Sequence, residues 1–160
     1  MIEDKLDRSI KGILSFLRVD SSNGCIEIGH IHYSDLMKKT TLGTDSIFIA
    51  LKYVFECLGY RRCEWKCDVA NIRSIRSALR FGFEFNGVFP QAVVYKNRNR
   101  DTAWFSITDV QWTEVKANFI NYLRADNFID GKPIISLSAL QGQQTLQRQA
   151  LKIHLQGNNM

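Results

Sequence analysis

No apolar run in the 160 residues is long enough to span a bilayer, because charged side chains interrupt each one. The opening residues, Met1-Ile2-Glu3-Asp4-Lys5, carry acids and no apolar stretch, so a secretory leader is not expected and a cytoplasmic location is. The four cysteines, Cys25, Cys57, Cys63 and Cys67, contain no C-x-x-C pair. Cys63 and Cys67 stand four apart in what reads as a strand, about 13 Å at the usual rise. That distance excludes a disulfide between them and suits a single metal ion poorly. His30 and His32 form an H-x-H with nothing nearby to complete a ligand set, so no metal is expected. There is no repeat at solenoid spacing. Charge is also scarce in excess: 21 basic against 16 acidic residues leave +5. No nucleic-acid motif accompanies it and the aromatics fall in apolar phase, so neither a nucleic acid nor a membrane is an expected partner.

What is present suffices for one folded domain, with 45% apolar and 11% aromatic residues. Ser9–Val19 and Cys25–Tyr33 read as a hairpin around the turn cluster Asp20–Gly24. Ser34–Gly43 reads as a basic loop. From Thr44 the apolar residues Ile47, Ala50, Leu51, Val54, Phe55 and Leu58 follow helical spacing, and Gly59 is placed to end the helix. Tyr60–Val69 alternates, with Cys63, Trp65 and Cys67 on one face. Asn71 can cap a second helix with Ile72, Ile75 and Leu79 inward and Arg73, Arg76 and Arg80 outward. Phe83–Lys96 and Thr102–Thr108 read as strands joined by a polar loop, Asn97–Asp101, and Thr113 opens a last helix. The expected domain covers residues 1–128. Residues 129–160 read as a polar, glutamine-rich tail with a short helix near Thr145–His154 as one reading and a frayed end as the other.

Two junctions could hold an anion or a reacting group. One is the strand–loop–helix passage from Ile28 to Thr44, with Lys38 and Lys39 beside a helix start. The other is Cys67–Ser74, where Asn71 and Ser74 share the first turn of a helix. Together with Gly82-Phe83 and the hairpin stretches Val88–Gln91 and Lys96–Ser106, they resemble the GNAT N-acetyltransferase superfamily, more narrowly its RimJ/RimL branch. The resemblance covers roughly residues 8–128. Lys38-Lys39-Thr40-Thr41-Leu42-Gly43 stands where the superfamily has Q/R-x-x-G-x-G/A, with Thr41 in place of the first glycine. An N-terminal strand and the two helices after it have no counterpart, so a partner subunit in a homodimer or a chain shortened relative to its relatives is expected.

The resemblance implies an α/β fold (α+β in some schemes): a mixed, mostly antiparallel sheet with helices packed on both faces. It implies acetyl-CoA as cofactor and an amine as acceptor. The pantetheine arm would enter between Cys25–Tyr33 and Arg61–Val69, held by Ile28, His30 and Ile31, with Cys67, Asn71 and Ser74 opposite. The pyrophosphate would rest on Lys38, Lys39, Thr41, Leu42, Gly43, Thr44 and Asp45. Arg73, Arg76, Arg98 and Arg100 are candidates for the remaining phosphate. Where many relatives carry a tyrosine, Ala78 stands here. Ser74 matches a serine proposed in the RimL-like branch as acid toward the leaving thiolate, and the resemblance implies that role for it. Glu27 is the candidate base, with a sheet-face glutamate paired to a cation as its other reading. His30 and His32 are reserve bases. A CoA-binding module without transfer is the alternative function.

Overall fold

The computed structural model describes residues 1–142. Six strands form one sheet in the order β1-β2-β3-β4-β6-β5: β1 (Ile2–Glu3), β2 (Ile10–Asp20), β3 (Cys25–Tyr33), β4 (Arg62–Asp68), β5 (Glu84–Tyr95) and β6 (Arg98–Thr108). Only β3 and β4 run parallel; every other pairing is antiparallel. The connection between the parallel strands carries helix α1 (Thr41–Lys52), which continues as a wider turn over Tyr53–Cys57. Helix α2 (Ile72–Arg80) joins β4 to β5, and α3 (Asp109–Leu123) follows β6. Gly59, at φ +65°, turns the chain back after the wide turn, in a left-handed conformation that glycine adopts without strain.

Alternation along β4 and β6 decides where the core lies. Cys63, Trp65 and Cys67 are buried and pair across to Ile107, Phe105 and Ala103. Onto this face pack Ile47 and Leu51 of α1, Ile75 and Leu79 of α2, and Val115 and Phe119 of α3, in one apolar cluster. Phe119 stacks on Phe48 at 5.2 Å and on Phe81 at 6.2 Å, which ties α1, α3 and the end of α2 together. The opposite face carries Arg62, Glu64, Lys66, Ser106 and Thr108, with Trp104 beneath the Lys66 ammonium. Helices α1, α2 and α3 bear on the apolar face through the cluster residues.

The packed unit runs past residue 128. Strands β7 (Phe128–Ile129) and β8 (Lys132–Pro133) form a small hairpin, and the short helix α4 (Leu137–Leu140) puts Leu137 fully into the core. The expected helix near Thr145–His154 lies outside the described residues. No helix among the described residues is long and apolar enough to cross a membrane.

Four local expectations change. Helix α1 begins at Thr41, ahead of the expected Thr44, because Thr40 accepts the Gly43 N–H and caps it. Helix α3 begins at Asp109, since Thr108 and Gln111 form a capping box. The β5–β6 loop shrinks to a turn at Lys96-Asn97, both at positive φ, and Arg98–Asp101 become strand. On α2, Ile72 is 43% exposed, while Arg80 turns inward to Thr44 Oγ1 at 2.9 Å and Tyr122 Oη at 3.3 Å.

Candidate active site

The parallel pair β3–β4 is short. It holds only for Cys25–Arg62, Ile26–Cys63 and Glu27–Glu64, after which the two strands part. The cause lies in β3. Between Ile13–His32 and Ser15–Gly29, His30 and Ile31 oppose the single residue Leu14, and His30 sits at φ +48°. Such a bulge bends the strand that carries it. The gap it opens is a cleft of about 720 Å³, bordered by Ile28–Ile31 on one side and Trp65–Asp68 on the other. Ala70, Asn71 and Ser74 close its helix side; Tyr95, Arg98 and Arg100 of the β5–β6 hairpin close the rest.

Asn71 ends β4's loop and starts α2 by accepting the Ser74 N–H at 3.1 Å. That cap fixes the first turn and turns Ser74 to the cleft. Ser74 Oγ accepts the indole N–H of Trp65 at 2.9 Å, so its own proton is free to be donated elsewhere. One recipient is the neighbouring Cys67. Burial pushes that thiol up to about 11, and the Ser74 hydrogen bond only partly offsets the rise. Cys67 therefore lines the site as a neutral thiol.

The other wall is charged. Lys66 lies 3.1 Å from Glu27 and 2.7 Å from Glu64, with its ammonium 3.8 Å from the centre of the Trp104 ring. Asp68 accepts the Ala70 N–H through one oxygen and Arg98 through the other. Burial alone would raise the Asp68 pKa, but these donors outweigh it and hold it below the usual range. Arg100 Nε is buried and has no hydrogen-bond partner.

The structure thus brings together Ile28, His30, Ile31, Cys67, Asn71 and Ser74. Lys38, Lys39, Thr41, Leu42, Gly43, Thr44 and Asp45 gather separately at the start of α1 and do not line the cleft. There Gly43 and Thr44 are buried, and the Gly43 carbonyl accepts from Tyr33 and Ser46 at 3.0 Å each. Lys38 is paired with Asp35 at 2.7 Å, and burial raises the Asp45 carboxyl. Arg73 and Arg76 are exposed on α2, away from the cleft lining, whereas Arg98 and Arg100 do line it.

Glu27 is not a lining residue. It is 4% exposed, and Oε2 receives both Arg18, at 2.5 Å, and Lys66. The ion-paired arrangement is the one found. Its other oxygen, Oε1, lies over the cleft residue Gly29, 3.5 Å from where a Cβ there would stand. Sequence reasoning missed Trp65, Lys66, Asp68 and Tyr95. Trp65 had one signal, since a buried indole N–H requires an acceptor.

A family model described as an acetyltransferase (GNAT) domain matches residues 1–84. A GCN5-related N-acetyltransferase from Brucella melitensis is 41% identical, with 87% of this chain and 63% of that one covered, at a TM-score of 0.84. A Chromobacterium violaceum protein described as a probable acetyltransferase of the GNAT family is 48% identical over 62% of this chain and 50% of that one, at 0.61. A spermidine N-acetyltransferase mutant from Vibrio cholerae, at 17% identity, 69% of this chain, 64% of that one and a TM-score of 0.63, shares the fold. Among curated proteins no sequence match is found. The sheet that parts beside a capped helix and these similarities define the class: the chain belongs to the GNAT acetyltransferase family. It spans 63% and 50% of the length of the Brucella and Chromobacterium proteins.

Proposed function

We propose that the chain is the acetyl-CoA-binding core of an N-acetyltransferase of the RimJ/RimL type, which passes an acetyl group to a primary amine. The observation that carries this reading is the end of β3–β4 pairing after Glu27–Glu64, with Ser74 facing the opening. The residues suit the cofactor. Main-chain groups of Ile28–Ile31 lie along the parted edge, where a ligand can replace ladder hydrogen bonds. Apart from Gly43, whose N–H Thr40 accepts, the first-turn amides of α1 have no preceding turn to bond and face anions favourably. When bound, acetyl-CoA supplies an acetyl group activated as a thioester.

Ser74 Oγ holds the proton that a departing sulfur needs. The Trp65 N–H draws electron density from that oxygen and makes its hydroxyl a better donor. Glu27, set behind the cleft residue Gly29 and fixed through Oε2 by Arg18 and Lys66, takes the ammonium proton at Oε1 by way of an intervening water and not by direct contact. Asn71 positions Ser74 through the cap.

Calorimetry with acetyl-CoA, followed by free-thiol release over a panel of primary amines, tests the reading. Micromolar binding and amine-dependent thiol release are expected. No heat at millimolar acetyl-CoA overturns it, and binding without thiol release on any amine reduces it to a CoA-binding module.

A further inference from the structure

Three arginines follow helical spacing on α2, and two of them, Arg73 and Arg76, are exposed. Arg80 turns the other way. Its Nη2 donates to Thr44 Oγ1 at 2.9 Å and to Tyr122 Oη at 3.3 Å. Its guanidinium lies 5.2 Å from the centre of the Phe81 ring and 5.4 Å from that of Tyr122. One side chain thus ties the end of α2 to the start of α1 and to α3. Thr44 is only 1% exposed, so that tie is made inside the protein.

The charge has no counter-ion. Among the described residues no carboxylate forms an ion pair with Arg80. Asp45, next to Thr44 in the chain, is met by the charge of Lys5. Two hydroxyls and two ring faces replace only part of the hydration that a buried cation gives up. The place adds to the deficit, because the start of α1 is the positive end of a helix dipole. Arg80's charge reaches this turn, since it acts on Tyr33, whose hydroxyl donates to the Gly43 carbonyl. A cation in the last turn of α2 also faces that helix's negative end, but an exposed one does so without giving up hydration. What the inward turn adds is positive charge at the start of α1, which an anion seated there neutralises.

We infer that Arg80 is a positioning residue for the cofactor, which acts through Thr44 on the first turn of α1 and strengthens that turn's hold on a diphosphate. This rests on the acetyl-CoA reading above. Held on a buried hydroxyl, the guanidinium contributes charge at a fixed place, and no contact with the ligand is needed. A charge already in place costs no ordering when the anion arrives, so it adds affinity for the phosphate-bearing part alone.

NMR titration of the 160-residue chain with acetyl-CoA, its 3′-dephospho form and S-acetylpantetheine tests this, in wild type, Arg80→Met, Arg80→Gln and Arg80→Lys. The last probe keeps the thioester arm and lacks the diphosphate. Both neutral variants should bind the two phosphate-bearing probes about tenfold more weakly, the scale of one charge lost from a partly buried place. S-acetylpantetheine should lose less than about twofold, since it brings no charge to the turn. Arg80→Gln can still donate to Thr44, so it separates charge from hydrogen bond and serves if the methionine variant does not fold. Arg80→Lys keeps the charge and should stay within about threefold of wild type. If neither neutral variant folds, the Arg80 side-chain resonances of wild type decide. They should shift with acetyl-CoA and not with S-acetylpantetheine, and equal shifts overturn the inference. Equal losses for S-acetylpantetheine mark a structural tie and overturn it too, as does a lysine variant as weak as the glutamine one. A loss confined to the probe with the 3′-phosphate assigns the effect to another phosphate and also overturns it. Undiminished acetyl-CoA binding in the neutral variants overturns it and leaves the acetyl-CoA reading standing. No acetyl-CoA binding by wild type removes that reading and the inference together.

Discussion

Ser74 acquires its character from two neighbours that fix different things, Asn71 its direction and Trp65 its hydrogen-bond polarity. Removing the hydroxyl should therefore cost turnover and not cofactor binding. Ser74→Ala is expected to lower kcat roughly 100-fold, at the lower end of what a positioned acid contributes, with acetyl-CoA affinity in calorimetry unchanged. Trp65→Phe keeps the ring and loses only the N–H, so a smaller drop of about tenfold is expected. The thiols give a second check at this scale. Cys57 is exposed, whereas Cys67 is buried with its pKa pushed up to about 11. Alkylation at pH 8 followed by mass mapping should label Cys57 and spare Cys67. The Asn71–Ser74 relation was legible in the sequence, because a cap and its third residue have a fixed spacing. The Trp65 link was not, because alternation reports burial and says nothing of where an N–H points.

At the level of elements, the Asn71 cap and the charged face of β4 make separate demands. Asn71→Ala should lower unfolding free energy by about 1 kcal/mol, the usual cost of losing such a cap, seen as a lower Tm. Glu64 is partly buried, which alone would raise its pKa, but Lys66 and Arg62 outweigh burial and lower it from 4.5. The unfolded chain then takes up its proton first as pH falls. Stability from this group is present above about 4.5 and lost on going down through the folded value. In urea melts between pH 6 and pH 3, Glu64→Gln should flatten part of that loss. Strands β2 to β6 and helices α1 to α3 were readable from periodicity, β3 to its ends, whereas the two-residue strands and α4 are too short to show a period. The bulge at His30-Ile31 was not, since a residue pair opposing one residue leaves the alternation nearly intact. Lys96-Asn97 hid its tight turn for want of the Asn-Gly signal that such turns usually carry.

Considered as a whole, the molecule is asymmetric, with one sheet face roofed by helices and the other carrying ion pairs. Leu137 shows how far the roof extends: Leu137→Ala should destabilise the chain by about 2–5 kcal/mol, as for other core truncations, measured by urea unfolding. The glutamine-rich composition after residue 136 concealed this anchoring, because a single buried leucine leaves no periodic trace. The early parting of β3 and β4 also reaches beyond geometry. Amides along the two freed margins, past Glu27 and past Glu64, lack the partners that slow deuterium uptake in the rest of the sheet. They should label early in the free chain and late once a nucleotide thiol is bound, so a mass-resolved labelling map would trace the ligand's outline without a crystal.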